Sequence, residues 1–153
     1  MAASTTPLMG TAWALQISTD AGTTYKLVRN VQSVNFDLTT GEAETSSRDN
    51  CGFGSYKPTR ANATIGFETL VEHATVAGYL NTHELVALQL AKTTFSWKLA
   101  PVDCGTDTEI TGEYEYKGTG FITGLPLALP NDETAKISGT IRVTGTFTHT
   151  VIA

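Results

Sequence analysis

From Thr134 to Thr150 the chain alternates without a break. Even positions are Thr, Lys, Ser, Thr, Arg, Thr, Thr, Thr and Thr, and odd positions are Ala, Ile, Gly, Ile, Val, Gly, Phe and His. Successive side chains of a β-strand point to opposite faces, so a period of two sustained this long means a strand with one wholly polar face. At about 3.3 Å per residue an unbroken strand of this length would reach roughly 55 Å, too long for a domain of this size. A bend at Gly145 or a terminal extension is therefore expected.

The same scheme recurs upstream. Thr11 to Ser18 sets Trp13, Leu15 and Ile17 against Ala12, Ala14, Gln16 and Ser18, and turn-forming residues then lead into a second strand over Tyr25 to Arg29. Val31 to Leu38 places Val34, Phe36 and Leu38 opposite Ser33, Asn35 and Asp37; Ala61 to Thr69 places Ala63, Ile65 and Phe67 opposite Asn62, Thr64 and Glu68. The polar faces of these two strands carry only acidic charge. Phe95, Trp97 and Leu99 mark another strand that stops at Pro101, and a turn-rich connection follows over Val102 to Glu109. Glu113 to Leu125 is a strand whose alternation slips across Gly118, Gly120 and Gly124, which predicts a bulge or bend.

Between Leu70 and Lys92 the period changes. Thr82 is placed to cap a helix over His83 to Lys92, with Glu84 in its first turn and Lys92 in its last, as the helix dipole favours; Gly78 interrupts any helical continuation over Val71 to Asn81. The fold class predicted is mainly β: an antiparallel β-sandwich or half-barrel with one packed α-helix and a long inter-strand loop. At 153 residues this is a single domain, with residues 1–10 read as an N-terminal arm and 149–153 as a C-terminal tail.

The long loop is Thr39 to Thr59, set between two clean strands without visible periodicity of its own. So long a connection is uncommon in a compact domain unless it is functional or disordered. It holds no ligand or catalytic pattern and is read as a contact arm between subunits, with Glu42, Glu44, Arg48, Asp49, Phe53, Tyr56 and Lys57 as its candidate contact residues.

Elsewhere the chain carries no chemical signature of a reactive or metal site. Cys51 and Cys104 share no metal-ligand spacing, and His73, His83 and His149 are far apart and outside any zinc-binding pattern. No nucleophile elbow or phosphate loop is present, and Gly118-Thr-Gly-Phe lies inside a strand, the wrong context for phosphate. Asp103, Asp107, Glu109, Glu113 and Glu115 form an acidic run without the spacing of a calcium loop, and Glu113 and Glu115 share one strand face as ordinary exposed glutamates do. No catalytic, metal or cofactor site is expected. The formal net charge is −5 with the Lys and Arg residues dispersed, the wrong balance for gripping nucleic acid through its phosphates. The N-terminus lacks a secretory pattern and no apolar run approaches the ~18 residues of a membrane span, which predicts residence in the cytosol and no membrane partner.

In order and spacing, several of these stretches resemble phage major tail tube proteins. The front half contributes Tyr25-Lys-Leu-Val-Arg-Asn-Val-Gln-Ser-Val-Asn-Phe-Asp37, Ala43-Glu-Thr-Ser-Ser-Arg48, the cluster Gly52-Phe-Gly and the strand from Ala61; the rear half contributes Tyr116 to Leu125, then Asn131-Asp-Glu-Thr-Ala leading into Lys136 to Phe147. The likeness covers roughly residues 11 to 148, and Cys51 and Tyr56-Lys-Pro stand in it without counterpart. It implies a virion structural protein, not an enzyme: hexameric rings that stack into the tube of a tail, assembled in the bacterial host cytoplasm. The partners implied are further copies of the chain, a tape-measure protein, tail-end or terminator proteins, and DNA that passes through the lumen without specific binding. Asp37, Glu68, Glu113 and Glu115 are the candidate lumen-facing residues, with Lys117, Lys136 and Arg142 offsetting their charge if they share the bore. The competing reading is a β-sandwich carbohydrate-binding or adhesion module decorating a virion. Such a module needs exposed aromatics, whereas Trp13 and Trp97 fall on apolar faces.

Overall fold

The computed structural model describes residues 13–48, 51–103 and 105–153. The predicted arm over 1–10, the contact residue Asp49, and Cys104 lie outside the described residues. The elements in chain order are β1 (Trp13–Ser18), β2 (Lys26–Val28), β3 (Val31–Glu44), β4 (Tyr56–Leu70), β5 (Tyr79–Leu80), α1 (Thr82–Leu90), β6 (Phe95–Pro101), β7 (Tyr114–Gly124), β8 (Leu127–Ala128) and β9 (Lys136–Val151).

All the strands join one sheet in the order β3-β4-β9-β7-β6-β1-β2-β5, with β8 on the side of β9. Pairing is antiparallel except for β2 with β5, so the sheet is mixed, and it does not close: β3 and β5 are its edges. In place of two stacked sheets, the single sheet curls over its own apolar face. Phe36 on β3 reaches Trp97 on β6, with ring centroids 5.9 Å apart, although β4, β9 and β7 separate the two strands in the sheet. The half-barrel form of the expectation is the one observed.

The alternation of each strand explains where the core lies. Paired registers line up Phe36, Ile65, Ile141 and Ile122 across β3, β4, β9 and β7. These residues, with Leu15, Ile17, Phe67, Phe95, Trp97 and Leu99, form the core cluster and its margin. Burying each large side chain of this kind contributes roughly 1.5–3 kcal/mol. Gly139 is on the same face because the ring of Phe67, its cross-strand partner, occupies the space a Cβ would need.

Gly145 provides the bend expected of the longest strand. Its φ of +69° is a left-handed value that side-chain-bearing residues seldom adopt, and the register of β7 on β9 slips beside it, from Thr119↔Thr144 to Lys117↔Thr148. Beyond the bend Phe147 turns onto Phe36, edge to face at 5.2 Å. The slip leaves Gly118 without a partner on β9, although it still pairs with Trp97 on β6, and a second shift falls between Ile122 and Gly124, within the stretch where the sequence predicts a bulge. The 149–153 tail is strand as far as Val151, and Ile152 is buried beside β7, its N–H donating to the Glu113 carbonyl at 2.7 Å.

The helix starts one residue earlier and ends two earlier than its sequence signals suggested. Asn81, not Thr82, is the N-cap, and it forms a reciprocal box with Glu84: its side chain accepts from the Glu84 N–H while Glu84 accepts from the Asn81 N–H. Thr82 instead accepts a hydrogen bond from the Glu72 N–H, tying the preceding loop to the first turn. Lys92 falls beyond the C-cap Ala91, with a φ of +52°, so it is not a last-turn residue. Leu85 drives the helix into the core, over β7.

The largest departure concerns Thr39 to Thr59. Thr39 to Glu44 continue β3 and Tyr56 to Thr59 begin β4, so of the described residues only 45–48 and 51–55 lie between the two strands. Sequence periodicity failed here for a physical reason: nearly all these strand residues are exposed on both faces, so no apolar set marks an inside.

Phe36 is the cross-sheet contact that these packing relations single out. Phe36→Ala is expected to lower the unfolding free energy by about 3 kcal/mol, whereas Asp37→Ala, one residue on and facing outward, changes it by less than about 0.5 kcal/mol. Urea denaturation of both variants checks this, and equal losses would show that β3 does not fold over the core.

Candidate functional site: a protruding ribbon and a polar sheet face

β9 pairs with β4 only from Thr64 to Leu70. From Tyr56 to Ala63, β4 has β3 as its sole strand neighbour among the described residues, the register running from Glu44↔Tyr56 to Leu38↔Ala63. The two strands therefore leave the sheet as a two-stranded ribbon of about 26 Å for eight residues of β4. A ribbon of this kind, without a third strand or a packed face, is only marginally stable in water by itself. A register shift between Thr40 and Glu42 lies along it.

The ribbon's end is held by short polar contacts. The Thr45 N–H donates to the Ser55 carbonyl at 2.7 Å, the Ser55 N–H donates to Ser46 Oγ at 2.8 Å, and the hydroxyls of Thr45 and Ser55 lie 3.0 Å apart. Cys51 and Gly52 turn the chain with φ of +50° and +86°. Phe53 stands 81% exposed, and the Tyr56 ring, 60% exposed, packs over Gly54. Of the predicted contact residues, Glu42, Glu44, Arg48, Phe53, Tyr56 and Lys57 are all exposed on this ribbon or its loop. Sequence reading missed Leu38 and Arg60 at its base; Leu38 is 52% exposed although its alternation assigned it to the apolar face.

The second feature is the sheet face opposite the core. The cross-strand row Asp37–Thr64–Arg142–Phe121 crosses β3, β4, β9 and β7, and two rows further along β4, past Asn35–Gly66–Thr140, Ser33, Glu68 and Ser138 come together. Asp37 is exposed there; Glu68 is half-exposed and 3.7 Å from Lys136 Nζ. Arg142 donates to Asn62 Oδ1 at 3.3 Å. β9 thus adds two cations beside Asp37 and Glu68, and these four charges cancel.

Glu113 and Glu115 correct the sequence reading: both are buried, at 8% and 5% exposure, and neither faces a solvent-filled surface of the chain. Glu115 lies 2.5 Å from Lys117 Nζ and accepts a hydrogen bond from Thr150 Oγ1 at 3.4 Å. That hydrogen bond from Lys117 is the main reason the Lys117 pKa is raised above its ordinary value. Beside this pair, Lys98 forms an ion pair with Glu109, lies 4.4 Å from the Tyr25 ring centre, and Glu109 also accepts from Gln16 Nε2. Charges are tolerated at this depth because each finds a partner of opposite sign. The available signal was Lys117, two residues beyond Glu115 and on the same strand face, which was counted apart from the acidic run.

Among the described residues no group of three or more His, Cys, Asp or Glu is placed to hold a metal ion, and no helix is long and apolar enough to cross a membrane. Trp97 is fully buried, with its Nε1–H donating to the Thr119 carbonyl at 3.2 Å, so it offers no platform for a sugar ring; half-buried Trp13 stacks on Tyr116 at 5.9 Å.

No family model and no curated protein matches this sequence. Solved structures do share its fold. A chain of the tail of an empty gene transfer agent particle, determined with C6 symmetry, superimposes with a TM-score of 0.73 at 11% identity, covering 95% of this chain and 100% of that one. The SPP1 tail tube aligns with a TM-score of 0.69 at 12% identity over 96% of this chain and 81% of the other. A chain of an extracellular contractile injection system sheath–tube complex gives 0.67 at 13% identity, covering 97% and 94%. The fold is the tail-tube fold.

Breaking the buried pair has a consequence that separates it from the outer face. Glu115→Gln is expected to cost about 1–2 kcal/mol, a charged hydrogen bond discounted for the partial solvent exposure of Lys117, while Asp37→Asn is neutral. Because the Lys117 pKa is raised from 10.5, its contribution is complete at neutral pH and is lost only as pH rises through the raised value. Denaturation of wild type and Glu115→Gln across pH 6 to 11 checks this: the gap should stay constant to about pH 10 and then narrow.

Proposed function

We propose that this chain is the subunit of a tail tube: six copies close a ring, rings stack into a hollow tube, and the tube conducts DNA out of a virion or a particle derived from one. The role is structural and no catalysis is assigned to it. The likeness of fold supports this reading, and the C6 symmetry of one neighbour supports the six-fold count. The observation that carries it is the ribbon of β3 and β4, a marginal element with two exposed aromatics at its end, which has reason to persist only if another copy covers it.

The remaining parts suit the same role. β3 is a long edge strand, and an edge left open invites pairing with another chain; closing a ring through such edges removes them. In the ring, the polar face bearing Asp37, Glu68, Lys136 and Arg142 lines the bore, with α1 on the outside. A lumen whose fixed charges cancel, in a chain of net charge −5, releases phosphate rather than holding it. A tape-measure protein fills the bore before ejection, and terminator proteins cap the ends.

A head-to-tail contact, in which one surface meets a different surface of the next copy, propagates into a filament unless it closes. Purified protein viewed by electron microscopy should show rings or tubes with a central hole. Replacing residues 43–57 by Asn-Gly joins the paired Glu42 and Pro58 through a two-residue hairpin turn and should leave a folded domain that forms rings but no tubes. Tubes from this variant would overturn the contact role of the ribbon, and persistent wild-type monomers would overturn the tube itself.

A further inference from the structure

Two places along β4 differ in chemistry. Midway, where the ribbon leaves the sheet, an open cleft of about 510 Å³ is lined by Leu38, Ala61, Ala63, Val143 and Phe147, with Arg60 among its walls. It lies where the inner face of the ribbon passes beyond the packed core, so Leu38 and Ala61 are left exposed beside buried Ala63 and the core-margin residues Val143 and Phe147. Ten residues along β4, about 33 Å away, the strand ends at Leu70 beside the connection from β8 to β9. That connection is tied down by the Val71 N–H donating to the Ala135 carbonyl at 2.9 Å. It presents Leu129, 68% exposed, followed within four residues by exposed Asp132 and Glu133.

We infer that the Leu129–Glu133 turn of one copy docks into the Leu38–Arg60–Phe147 cleft of the copy in the next ring, and that this head-to-tail contact acts together with the ribbon to stack the rings. The inference rests on the tube reading and goes beyond it by naming the receptor surface and its occupant. Three observations point to a second copy as occupant. The cleft is largely apolar with Arg60 among its lining residues, and the turn is an apolar side chain followed by two anions, so the two surfaces are complementary in polarity and charge. Arg60, Asp132 and Glu133 belong to none of the ion pairs among the described residues, which join Arg29 to Glu72, Lys98 to Glu109, Lys117 to Glu115 and Lys136 to Glu68. Finally, the two surfaces lie seven to ten residues apart along one strand, the cleft beside Arg60–Ala63 and the turn beside Leu70, so docking one on the other translates each copy along that strand and cannot satisfy itself within a chain.

The division of labour with the ribbon follows. The ribbon reaches past the junction and lies along the next ring, while the turn and cleft form the junction. Like charges placed face to face at a contact are strongly unfavourable, so charge reversal is the discriminating perturbation.

The test compares wild type, Arg60→Glu, the pair Asp132→Arg with Glu133→Arg, and the triple variant, all at low salt. Tube formation is read by sedimentation and electron microscopy, ring formation by size-exclusion chromatography, and folding by circular dichroism. Arg60→Glu and the acidic-pair variant should each keep folded rings and raise the concentration needed for tubes by about tenfold or more, and the triple variant should bring it back to within about twofold of wild type. Wild-type tubes with undiminished stacking by Arg60→Glu, or no recovery in the triple variant, would overturn the turn-in-cleft contact while leaving the tube intact. Absence of tubes from wild type would instead overturn the tube reading beneath it.

Discussion

Phe36 touches Trp97, Tyr116 and Phe147, aromatic rings carried by three strands that are not its neighbours in the sheet. That set of contacts is possible only if the sheet curls, and the curl gives the molecule its two kinds of surface. Inside the curl, alternate residues of β4 and β9 meet the core; outside it, the intervening residues of β3, β4 and β9 form a polar wall, while β6 is buried on both faces. Gly139 and Gly145 serve the same end, one by making room for the Phe67 ring and the other by bending β9 so that Phe147 can turn inward. α1 closes over β7 through Leu85 without disturbing the outer wall. A flat sheet of the same strands would leave both faces wet and have no reason to keep one of them polar.

Where a strand has a buried face, alternation in the sequence predicted its extent to within a few residues. The cores of β3, β4, β6 and β9 were assigned in this way, as were the bulging of β7 and the bend at Gly145. Where both faces are wet, the period vanished, and the outer halves of β3 and β4 read as a loop. Cap positions failed by one residue for a related reason: Asn81 and Thr82 both suit an N-cap, and the choice is settled by the Glu84 side chain reaching back, with Thr82 engaged by the Glu72 N–H. The burial of Glu113 and Glu115 was the clearest miss among the site residues. Periodicity assigns residues to a face but does not say which stretch of that face another segment covers, and Glu115 is held under cover by Lys117 and Thr150.

The same asymmetry of faces accounts for the electrostatics. Read strand by strand, the polar faces of β3 and β4 look acidic; assembled, they gain Lys136 and Arg142 from β9, and the wall becomes balanced. A balanced wall suits a passage for a polyanion, because strong repulsion would oppose entry and net positive charge would hold the phosphates. Cations and anions that remain outside the wall, at the ribbon base and at the turn before β9, are then available for contacts between copies.

The central claim is the direction in which this wall faces. A three-dimensional map of the assembled tube, at a resolution that separates strands, measures it directly. The expected map has Asp37, Thr64 and Arg142 on the inner surface of a six-fold tube and α1 on the outer surface. A map with α1 or the Phe36–Trp97 side of the sheet turned toward the bore would contradict it.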